Sequence, residues 1–362
     1  AAASELRQRV REALEQKRLA LTEQDDPERI GRIVNSIESL DSAFIGTIHS
    51  FAQSLLTERP IEAGLPPVFE LVEPVQSEQN FDQAWSEWLE VALDDRDFRA
   101  AVTDLQMLGS HDPLNQLHDL ALEFRDDYDL VEAAIPVKAS ENTIDVIDHL
   151  ESILSDLNQS LAYASYCKDP DDPMLNYLDE KVAPIVRLIT ESLESKSSSE
   201  HVIAVTQVPE FKVGKTGRGS NWRKLPGGEN VLNEIRKLLV ATWSSAVNAR
   251  EIVGESALVL ITNKIAEMTL QFADSQREAG VIDFQDLLVL SCRMLEQNSE
   301  VRADFQRRFT RVLIDEFQDT DPLQLKLAIL LTSSPGKQTP DPGRLFVVGD
   351  PKQSIYSFRR AD

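Results

Sequence analysis

The stretch RVLIDEFQDTDPLQ, Arg311–Gln324, carries the strongest local indication of how this chain folds. A short apolar run within it ends in two adjacent acids, Asp315 and Glu316, and an Asp-Pro pair at 321–322 follows. Aspartate is a preferred residue before the first turn of a helix, and proline is favoured at the first helical position. The stretch therefore predicts a strand that ends in two carboxylates, followed by a turn and a helix that begins at Pro322.

A second apolar run, RLFVVGD at Arg344–Asp350, has the same character. Both runs are short, rich in β-branched or aromatic residues, and without alternation, which is typical of parallel strands buried on both faces. The segment between them, DPLQLKLAILLTSS, predicts a crossover helix. We expect a strand–helix–strand unit in which the two parallel strands lie side by side.

Polar residues follow both predicted strands and suggest a nucleotide site. In a parallel sheet the ligand crevice lies beyond the carboxyl ends of the strands, where Asp315, Glu316 and Asp350 are expected. Asp315 can hold a magnesium ion, and Glu316 can orient and deprotonate a water that attacks a γ-phosphate. Gln353 follows the second strand and is placed to sense whether that phosphate is present.

A simpler alternative gives these acids no chemistry. Asp315 and Glu316 then merely end a strand, and Asp319 or Asp321 caps the next helix. The first segment alone does not separate the two interpretations. Together with VVGDPKQSIYSFRRAD, which begins at Val347, it favours the nucleotide site.

Those two segments, with AAASELRQRVR, FIGTIHSFAQSLL and VIDFQDLL in the same order, resemble superfamily 1 DNA helicases of the UvrD/Rep type. Within that group, DEFQDTDPLQ, GDPKQSIYSFRRAD and TERPIEAGLPPVF resemble the RecB and AddA branch of helicase–nucleases, the exonuclease V beta-like proteins. The UvrD and Rep branch more often has Tyr where this chain has Phe317, Asn at Asp321 and Trp-Arg-Gly at 358–360.

The resemblance implies an α/β fold: a partial RecA-like P-loop NTPase domain with a parallel sheet, interrupted by a large all-helical insertion. Long helical patterns joined by loops rich in Asp, Pro and Ser fill the chain from Pro74 to about Gly280. We therefore expect the first part of the motor domain at 1–73, the helical subdomain at 74–280 and the second part of the motor domain at 281–362.

The resemblance also implies roles for individual residues. Asp315 would bind Mg²⁺ and Glu316 would be the catalytic base, while Asp350 and Gln353 would contact the nucleotide. Residues expected near single-stranded DNA are Tyr356, Phe358 as a stacking platform, and Arg359. Stacking on a base does not discriminate sequence, which suits a motor that moves along any strand. Ordinary core packing is the alternative for Tyr356 and Phe358.

Thr47, His49 and Ser50 match the helicase segment that contacts the DNA backbone near a helix start, where backbone N–H groups favour phosphate. A strand is expected just before them, at Ala43–Ile45, and a helix from about His49 to Glu58. A lone histidine near a helix start is more often structural, so both interpretations of His49 stay open.

A phosphate-cradling loop of the form GxxxxGK[ST] is missing from the sequence. PEFKVGKT at 209–216 has proline where the first glycine belongs, and SPGKQT at 334–339 has Gln after its lysine. In the resembling family this loop lies upstream of the segment that begins here, and a second motor domain lies downstream. We expect an ATP-driven parent protein and an inactive isolated chain.

Charge and composition set further limits. The net charge is −24, and 141–200 holds 13 acids against four bases. Five cations nevertheless surround Trp222: Lys212, Lys215, Arg218, Arg223 and Lys224. This basic loop suggests a contact with duplex or single-stranded DNA, with a solvated surface loop as the alternative. No membrane span or signal peptide is recognised, and two distant cysteines indicate neither a disulfide nor a zinc site, so a soluble, cytoplasmic protein is expected.

The expected function is that of an ATP-dependent DNA helicase or translocase in recombinational repair of double-strand breaks. ATP and Mg²⁺ are the expected cofactors, and the expected partners are single-stranded and duplex DNA and a partner subunit of a helicase–nuclease, without a membrane. The alternative is a non-catalytic DNA- or partner-binding module that retains a helicase-like shell. The set of Asp315, Glu316 and Gln353 favours the motor, because a shell without turnover does not need a general base.

Overall fold

The computed structural model of the chain describes residues 2–21, 27–138, 145–195, 197–350 and 352. These residues are mostly helical and include four short strands in two small parallel sheets. The chain divides into two compact units, with residues 1–81 and 273–362 in unit 1 and residues 82–272 in unit 2.

The regular elements follow one another along the chain in a mostly helical order. They are α1 (Ala2–Ala20), α2 (Pro27–Ser39), α3 (Ile48–Glu58), β1 (Glu70–Leu71), α4 (Pro74–Asp94), α5 (Arg96–Met107), α6 (Pro113–Asp126), α7 (Tyr128–Ala134), α8 (Val146–Ala162), α9 (Pro173–Tyr177), α10 (Ala183–Glu194), α11 (Ser198–Gln207), α12 (Val231–Ala279), β2 (Val281–Ile282), α13 (Phe284–Gln297), α14 (Ser299–Arg308), β3 (Val312–Ile314), α15 (Pro322–Thr332) and β4 (Leu345–Val347).

The core of unit 1 is built on α13, which packs against both α3 and α15. Its middle turns are buried on all sides, from Leu287 to Cys292, as expected of a helix enclosed by neighbours. The Ser291 hydroxyl lies in this core and donates to the Ala52 carbonyl of α3 over 3.4 Å. These helices form the support on which the strand–helix–strand unit rests.

Strands β3 and β4 pair in parallel, with Val312 opposite Leu345 and Ile314 opposite Val347, as the sequence predicts. The crossover helix α15 begins as predicted, because the Asp321 carboxylate accepts the Gln324 backbone N–H over 2.8 Å. A second parallel pair joins β1 to β2. No pattern in the sequence indicated this second sheet.

The prediction that both strands are buried on both faces is wrong. Ile314 is buried, but Leu313 is 75% exposed and Phe346 is 48% exposed. Successive side chains of a strand point to opposite faces, and α15 packs against β3 and β4. The alternation of burial along β3 therefore shows that one face of this small sheet is covered among the described residues.

The strand predicted at Ala43–Ile45 is also absent: these three residues form no ladder. The carbonyl of Ala43 instead accepts a hydrogen bond from the Arg7 guanidinium of α1 over 3.2 Å. The helix predicted to follow is present as α3, and Thr47 is its N-cap. The backbone at 43–45 thus finds a side-chain partner rather than a neighbouring strand.

Unit 2 is a helical assembly around one large apolar cluster. Its buried members come from α8, α10, α11 and α12, and include Leu150, Ile189, Val205 and Leu239. The two helical segments that the sequence suggested at 231–247 and 255–280 are one continuous helix, α12. Gly254 lies within it, at an expected cost of about 1 kcal/mol relative to alanine. None of the helices in the described ranges combines the length and the apolarity that crossing a membrane requires.

Candidate active site

The pairing of β3 with β4 brings the predicted acids to one edge of the small sheet. Asp315 and Glu316 follow the last residue of β3, and Asp350 lies three residues after β4. The backbone pairing continues beyond the strands, since Val348 N–H donates to the Ile314 carbonyl and Phe317 N–H to the Val348 carbonyl, both over 2.9 Å. The described members of the predicted site thus lie together.

Glu316 has an unusual backbone. Its φ is 54° and its ψ is 42°, in the left-handed region, and among the described residues it is the one non-glycine with a positive φ. The Cβ atom makes this region costly, by about 1–3 kcal/mol. The Glu316 N–H donates to Oδ1 of Asp315 over 3.0 Å, which helps to hold this turn. Both carboxylates are exposed.

Gln318 joins the two strand ends through its side-chain amide. Nε2 of Gln318 donates to Oε2 of Glu316 over 2.6 Å, and Oε1 of Gln318 accepts the backbone N–H of Asp350 over 2.9 Å. Gln318 was not among the site residues predicted from the sequence. Its position two residues after the acidic pair, on the one-turn helix 317–319, was the signal that could have identified it.

Gly349 allows this close approach. A Cβ atom at position 349 would lie 2.5 Å from Oε1 of Gln318, 3.0 Å from the Gln318 backbone nitrogen and 3.1 Å from that of Phe317. Contacts this short do not occur in proteins without a shift of one partner. The residue between β4 and Asp350 is therefore glycine for a steric reason, because the turn after Glu316 packs directly against it.

The donor set at this edge fits a magnesium ion that is also held by phosphate oxygens. Asp315 and Asp350 are exposed carboxylates at the ends of adjacent strands. Magnesium in nucleotide sites is bound by one or two carboxylates together with substrate phosphates. Within the described ranges, no three potential ligands of the His, Cys, Asp or Glu type are grouped as a metal cage would require.

The helix start at Thr47 is stabilised by its own side chains. Oγ1 of Thr47 accepts the Ser50 N–H over 3.2 Å, and the Ser50 hydroxyl donates to the Thr47 carbonyl over 2.9 Å. Both residues are exposed. These contacts are those of an ordinary N-cap, and they leave the predicted DNA role of Thr47 and Ser50 as a prediction.

His49 lies on the same turn but is half-buried. Its ring meets the edge of Phe284 on α13, with 5.9 Å between the ring centroids. Burial lowers the pKa of His49 below its ordinary value, and the negative charge of Asp321 raises it in part. The structure thus gives His49 a packing role and places it near the cap of α15, while its predicted contact with DNA stays a prediction.

Four of the predicted site residues, Gln353, Tyr356, Phe358 and Arg359, lie outside the described residues. Their roles in sensing the γ-phosphate and in binding single-stranded DNA stay predictions. The described part of the site ends at Asp350 and Lys352, where the Lys352 N–H donates to Oδ1 of Asp350 over 3.0 Å.

In the basic loop of unit 2, residues 212–224, the cations and the tryptophan are separated. All five cations are exposed, but Trp222 is only 3% exposed and belongs to the apolar cluster of the unit. Stacking of this ring on a base is therefore excluded in the present conformation. Asp172, which is fully buried, anchors the loop by accepting the N–H groups of Met174 and Arg218 and the side-chain amide of Asn221, each over 3.0 Å.

Curated relatives with similar sequences are all described as a subunit of an ATP-dependent helicase/nuclease. The chain is 26% identical over 404 aligned positions to the relative from Pediococcus pentosaceus and 27% identical over 405 positions to that from Listeria welshimeri. Each match covers 100% of this chain and 31% of the relative. A third, from Latilactobacillus sakei, is 25% identical and covers 100% of this chain and 44% of the relative. The chain thus spans less than half the length of these relatives.

A family model described as the UvrD/REP helicase N-terminal domain matches residues 1–362, the whole of the chain. With acids at the ends of paired parallel strands and a full-length match to the family model, this chain belongs to the UvrD/REP helicase N-terminal domain family.

Proposed function

We propose that this chain is the first motor-domain region of an ATP-dependent DNA helicase or translocase that acts in recombinational repair of double-strand breaks. The observation that carries the proposal is the meeting of Asp315, Glu316 and Asp350 at the ends of two parallel strands. Membership of the UvrD/REP family and relatives described as ATP-dependent helicase/nucleases support the same conclusion.

The proposed organisation is a partial RecA-like domain at 1–73 and 281–362, interrupted by a helical subdomain at 74–280. The division into two compact units supports it, since unit 1 is formed from both ends of the sequence and unit 2 from its middle. The proposed partner is a second subunit of a helicase–nuclease, because the relatives are described as one subunit of such an enzyme. Action on chromosomal DNA would place the protein in the cytoplasm.

The proposed chemistry uses each described acid differently. Asp315 would hold Mg²⁺, which when bound bridges and neutralises the β- and γ-phosphate oxygens of ATP. Glu316 would accept a proton from the water that attacks the γ-phosphate, and Asp350 would lie beside the nucleotide. Gln353 would report the presence of the γ-phosphate to the DNA-binding residues that follow it in sequence. Hydrolysis would thereby be coupled to movement on single-stranded DNA.

ATP hydrolysis by the full-length protein that contains this chain tests the proposal. With single-stranded DNA present, Glu316→Gln and Asp315→Asn are each expected to lower kcat by at least about 10²-fold. Glu300→Gln removes an exposed carboxylate from the start of α14 and serves as the matched control, with kcat expected to stay within about twofold.

Two outcomes would overturn the motor interpretation. One is hydrolysis that survives both substitutions, which would remove Glu316 and Asp315 from the chemistry. The other is a wild-type protein that binds DNA but hydrolyses no ATP, which would establish the alternative, a non-catalytic DNA- or partner-binding module. Binding of single-stranded DNA by Glu316→Gln provides the check that the variant is folded.

The basic loop is proposed as a contact for the phosphates of duplex DNA. Its exposed cations, among them Lys215 and Arg218, lie on a segment held in place by Asp172. Lys215→Glu and Arg218→Glu are each expected to weaken duplex binding and to reduce the slope of log K against log salt by about 1. Lys181→Glu, an exposed cation elsewhere in unit 2, is the control. An unchanged salt slope in both loop variants would show that the loop is only a solvated surface.

A further inference from the structure

The side chain of Gln318 uses both ends of its amide at the candidate site. Its NH₂ group donates to Oε2 of Glu316 over 2.6 Å, and its carbonyl oxygen accepts the N–H of Asp350 over 2.9 Å. A glutamine can donate and accept at once, whereas glutamate, with a similar shape, can only accept when ionised. The amide therefore links the end of β3 to the end of β4 in a way that depends on its chemical identity.

The orientation of Glu316 is not fixed by packing. Its side chain is exposed, and its backbone is in the left-handed region, so neighbouring helices do not confine the carboxylate. A free glutamate side chain samples several rotamers, and ordering a side chain of this kind costs on the order of 1–2 kcal/mol. The hydrogen bond from Gln318 restricts where the Glu316 carboxylate points.

The turn that carries Gln318 is itself held against β4. The Phe317 N–H donates to the Val348 carbonyl over 2.9 Å, and Gly349 leaves room for the Gln318 amide to lie against the backbone. Any movement at the end of β4 thus reaches Glu316 through one short chain of contacts: Asp350 N–H, the Gln318 amide and the Glu316 carboxylate.

We propose that Gln318 is a positioning residue that orients the Glu316 carboxylate and couples it to the strand end at Asp350. The inference rests on the proposed role of Glu316 as the general base. A base that is misplaced by about 1 Å loses up to about 10²-fold in rate without a change in substrate binding. Gln318 should therefore act on turnover and not on affinity.

Two near-isosteric variants of the full-length protein separate the two halves of the amide. Gln318→Met removes both hydrogen bonds. Gln318→Glu keeps an acceptor for the Asp350 N–H but loses the donor to Glu316. Both are expected to lower kcat for DNA-stimulated ATP hydrolysis by about 10- to 100-fold, with KM for ATP and Kd for single-stranded DNA within about twofold.

Amide hydrogen exchange gives a readout that does not depend on activity. Exchange of the Asp350 N–H is expected to speed up in Gln318→Met, which removes its acceptor, and to stay near the wild-type rate in Gln318→Glu. Gly349→Ala pushes on the same amide from the other side and is expected to lower kcat in the same direction. Full activity in both Gln318→Glu and Gly349→Ala would overturn the inference, as would a loss of activity that appears only as a raised KM.

A double-mutant test distinguishes failure of this inference from failure of the proposed function. In a Glu316→Gln background, Gln318→Met is expected to have no further effect on kcat, because residues that act as one unit are not additive. If Glu316→Gln alone leaves kcat unchanged, the proposed function fails. If Glu316→Gln abolishes turnover and Gln318→Met still acts in full on the residual rate, only the positioning role fails.

Discussion

Arg308 and Glu58, which lie 250 residues apart in sequence, meet through two parallel hydrogen bonds. Nη1 of Arg308 lies 3.0 Å from Oε1 of Glu58, and Nη2 lies 2.7 Å from Oε2. The same guanidinium lies over the rings of Phe305 and Phe309, 4.9 Å and 4.8 Å from their centroids. The end of α14 is thereby joined to the end of α3, and the two parts of unit 1 that are distant in sequence are held together.

Loss of Arg308 is expected to weaken unit 1 through both kinds of contact. Arg308→Ala should lower the free energy of unfolding by about 1–2 kcal/mol, and Glu58→Gln by less than about 1 kcal/mol, because the contacts with the two rings remain. Hydrogen exchange of α3 and α14 amides measures the effect. The matched control is Arg307→Ala, since Arg307 is mostly exposed and pairs with Asp304 of its own helix. Equal effects of Arg307→Ala and Arg308→Ala would contradict the prediction.

The left-handed backbone of Glu316 predicts an unusual order of stability among its variants. Glycine has no Cβ and adopts a positive φ without strain, whereas alanine keeps the strain of glutamate. Glu316→Gly is therefore expected to be more stable than Glu316→Ala by about 0.5–1 kcal/mol, although both lack the carboxylate. Thermal or urea unfolding followed by circular dichroism measures the difference.

Asp315 provides the control for this comparison. It is the preceding residue and is not among those with a positive φ. At Asp315 the order should reverse, with the alanine variant more stable than the glycine variant, because glycine there adds only entropy to the unfolded chain. The same order at both positions would show that the backbone of Glu316 is not strained.

The strand–helix–strand unit could be predicted because its signals are local. The Asp-Pro pair at 321–322 marked the start of α15, and the cap formed by Asp321 follows directly from it. The apolar runs on either side required only the usual right-handed crossover to become parallel neighbours. Burial was predicted less well, since the exposure of Leu313 depends on which layers cover the sheet and not on the sequence of the strand.

The contacts of Gln318 could not be predicted in this way. They depend on the approach of two strand ends about 30 residues apart and on a left-handed turn at Glu316, a conformation that a sequence usually signals with glycine or asparagine. The continuity of α12 was missed for a related reason. Gly254 suggested an interruption, but Val253 and Ala257 are buried on either side of it and their packing maintains the helix.

His49 is expected to make the stability of unit 1 depend on pH. Because burial lowers its pKa in the folded protein below the ordinary value of 6.5, the unfolded chain binds the proton more readily. Stability from this residue is therefore complete above pH 6.5 and is lost as the pH falls through the lowered pKa. Urea unfolding between pH 7.5 and 5, with both limits chosen as roughly one unit or more from that value, measures the slope.

His49→Gln removes the titrating group while keeping a polar side chain at the start of α3. The loss of stability on acidification should be smaller in this variant than in the wild type, with the two curves nearly parallel above pH 6.5. A wild-type protein that gains stability relative to His49→Gln as the pH falls would contradict the prediction. Such a result would mean that the charge of Asp321 outweighs the burial of the ring.

Arg250 is expected to be the most sensitive single cation of unit 2, because it closes the end of α11. Its guanidinium donates to the carbonyls of Val205, Thr206 and Val208 over 2.7–3.2 Å and lies 4.8 Å from the ring centroid of Trp243. Arg250→Ala leaves these carbonyls without that donor and should lower the free energy of unfolding by about 1–3 kcal/mol. Tryptophan fluorescence measures it selectively, since all four tryptophans lie within 82–272.

Arg250→Lys tests whether geometry or charge provides this stabilisation. Lysine keeps the positive charge at the end of the helix, but a single ammonium group cannot reach three carbonyls with the planar fork of arginine. We therefore expect Arg250→Lys to recover less than half of the stability lost in Arg250→Ala. Wild-type stability in Arg250→Lys would show that the charge alone stabilises the end of α11 and that the three-carbonyl contact is incidental, because a favourable charge near the last turn is worth only about 0.3–1 kcal/mol at an exposed site.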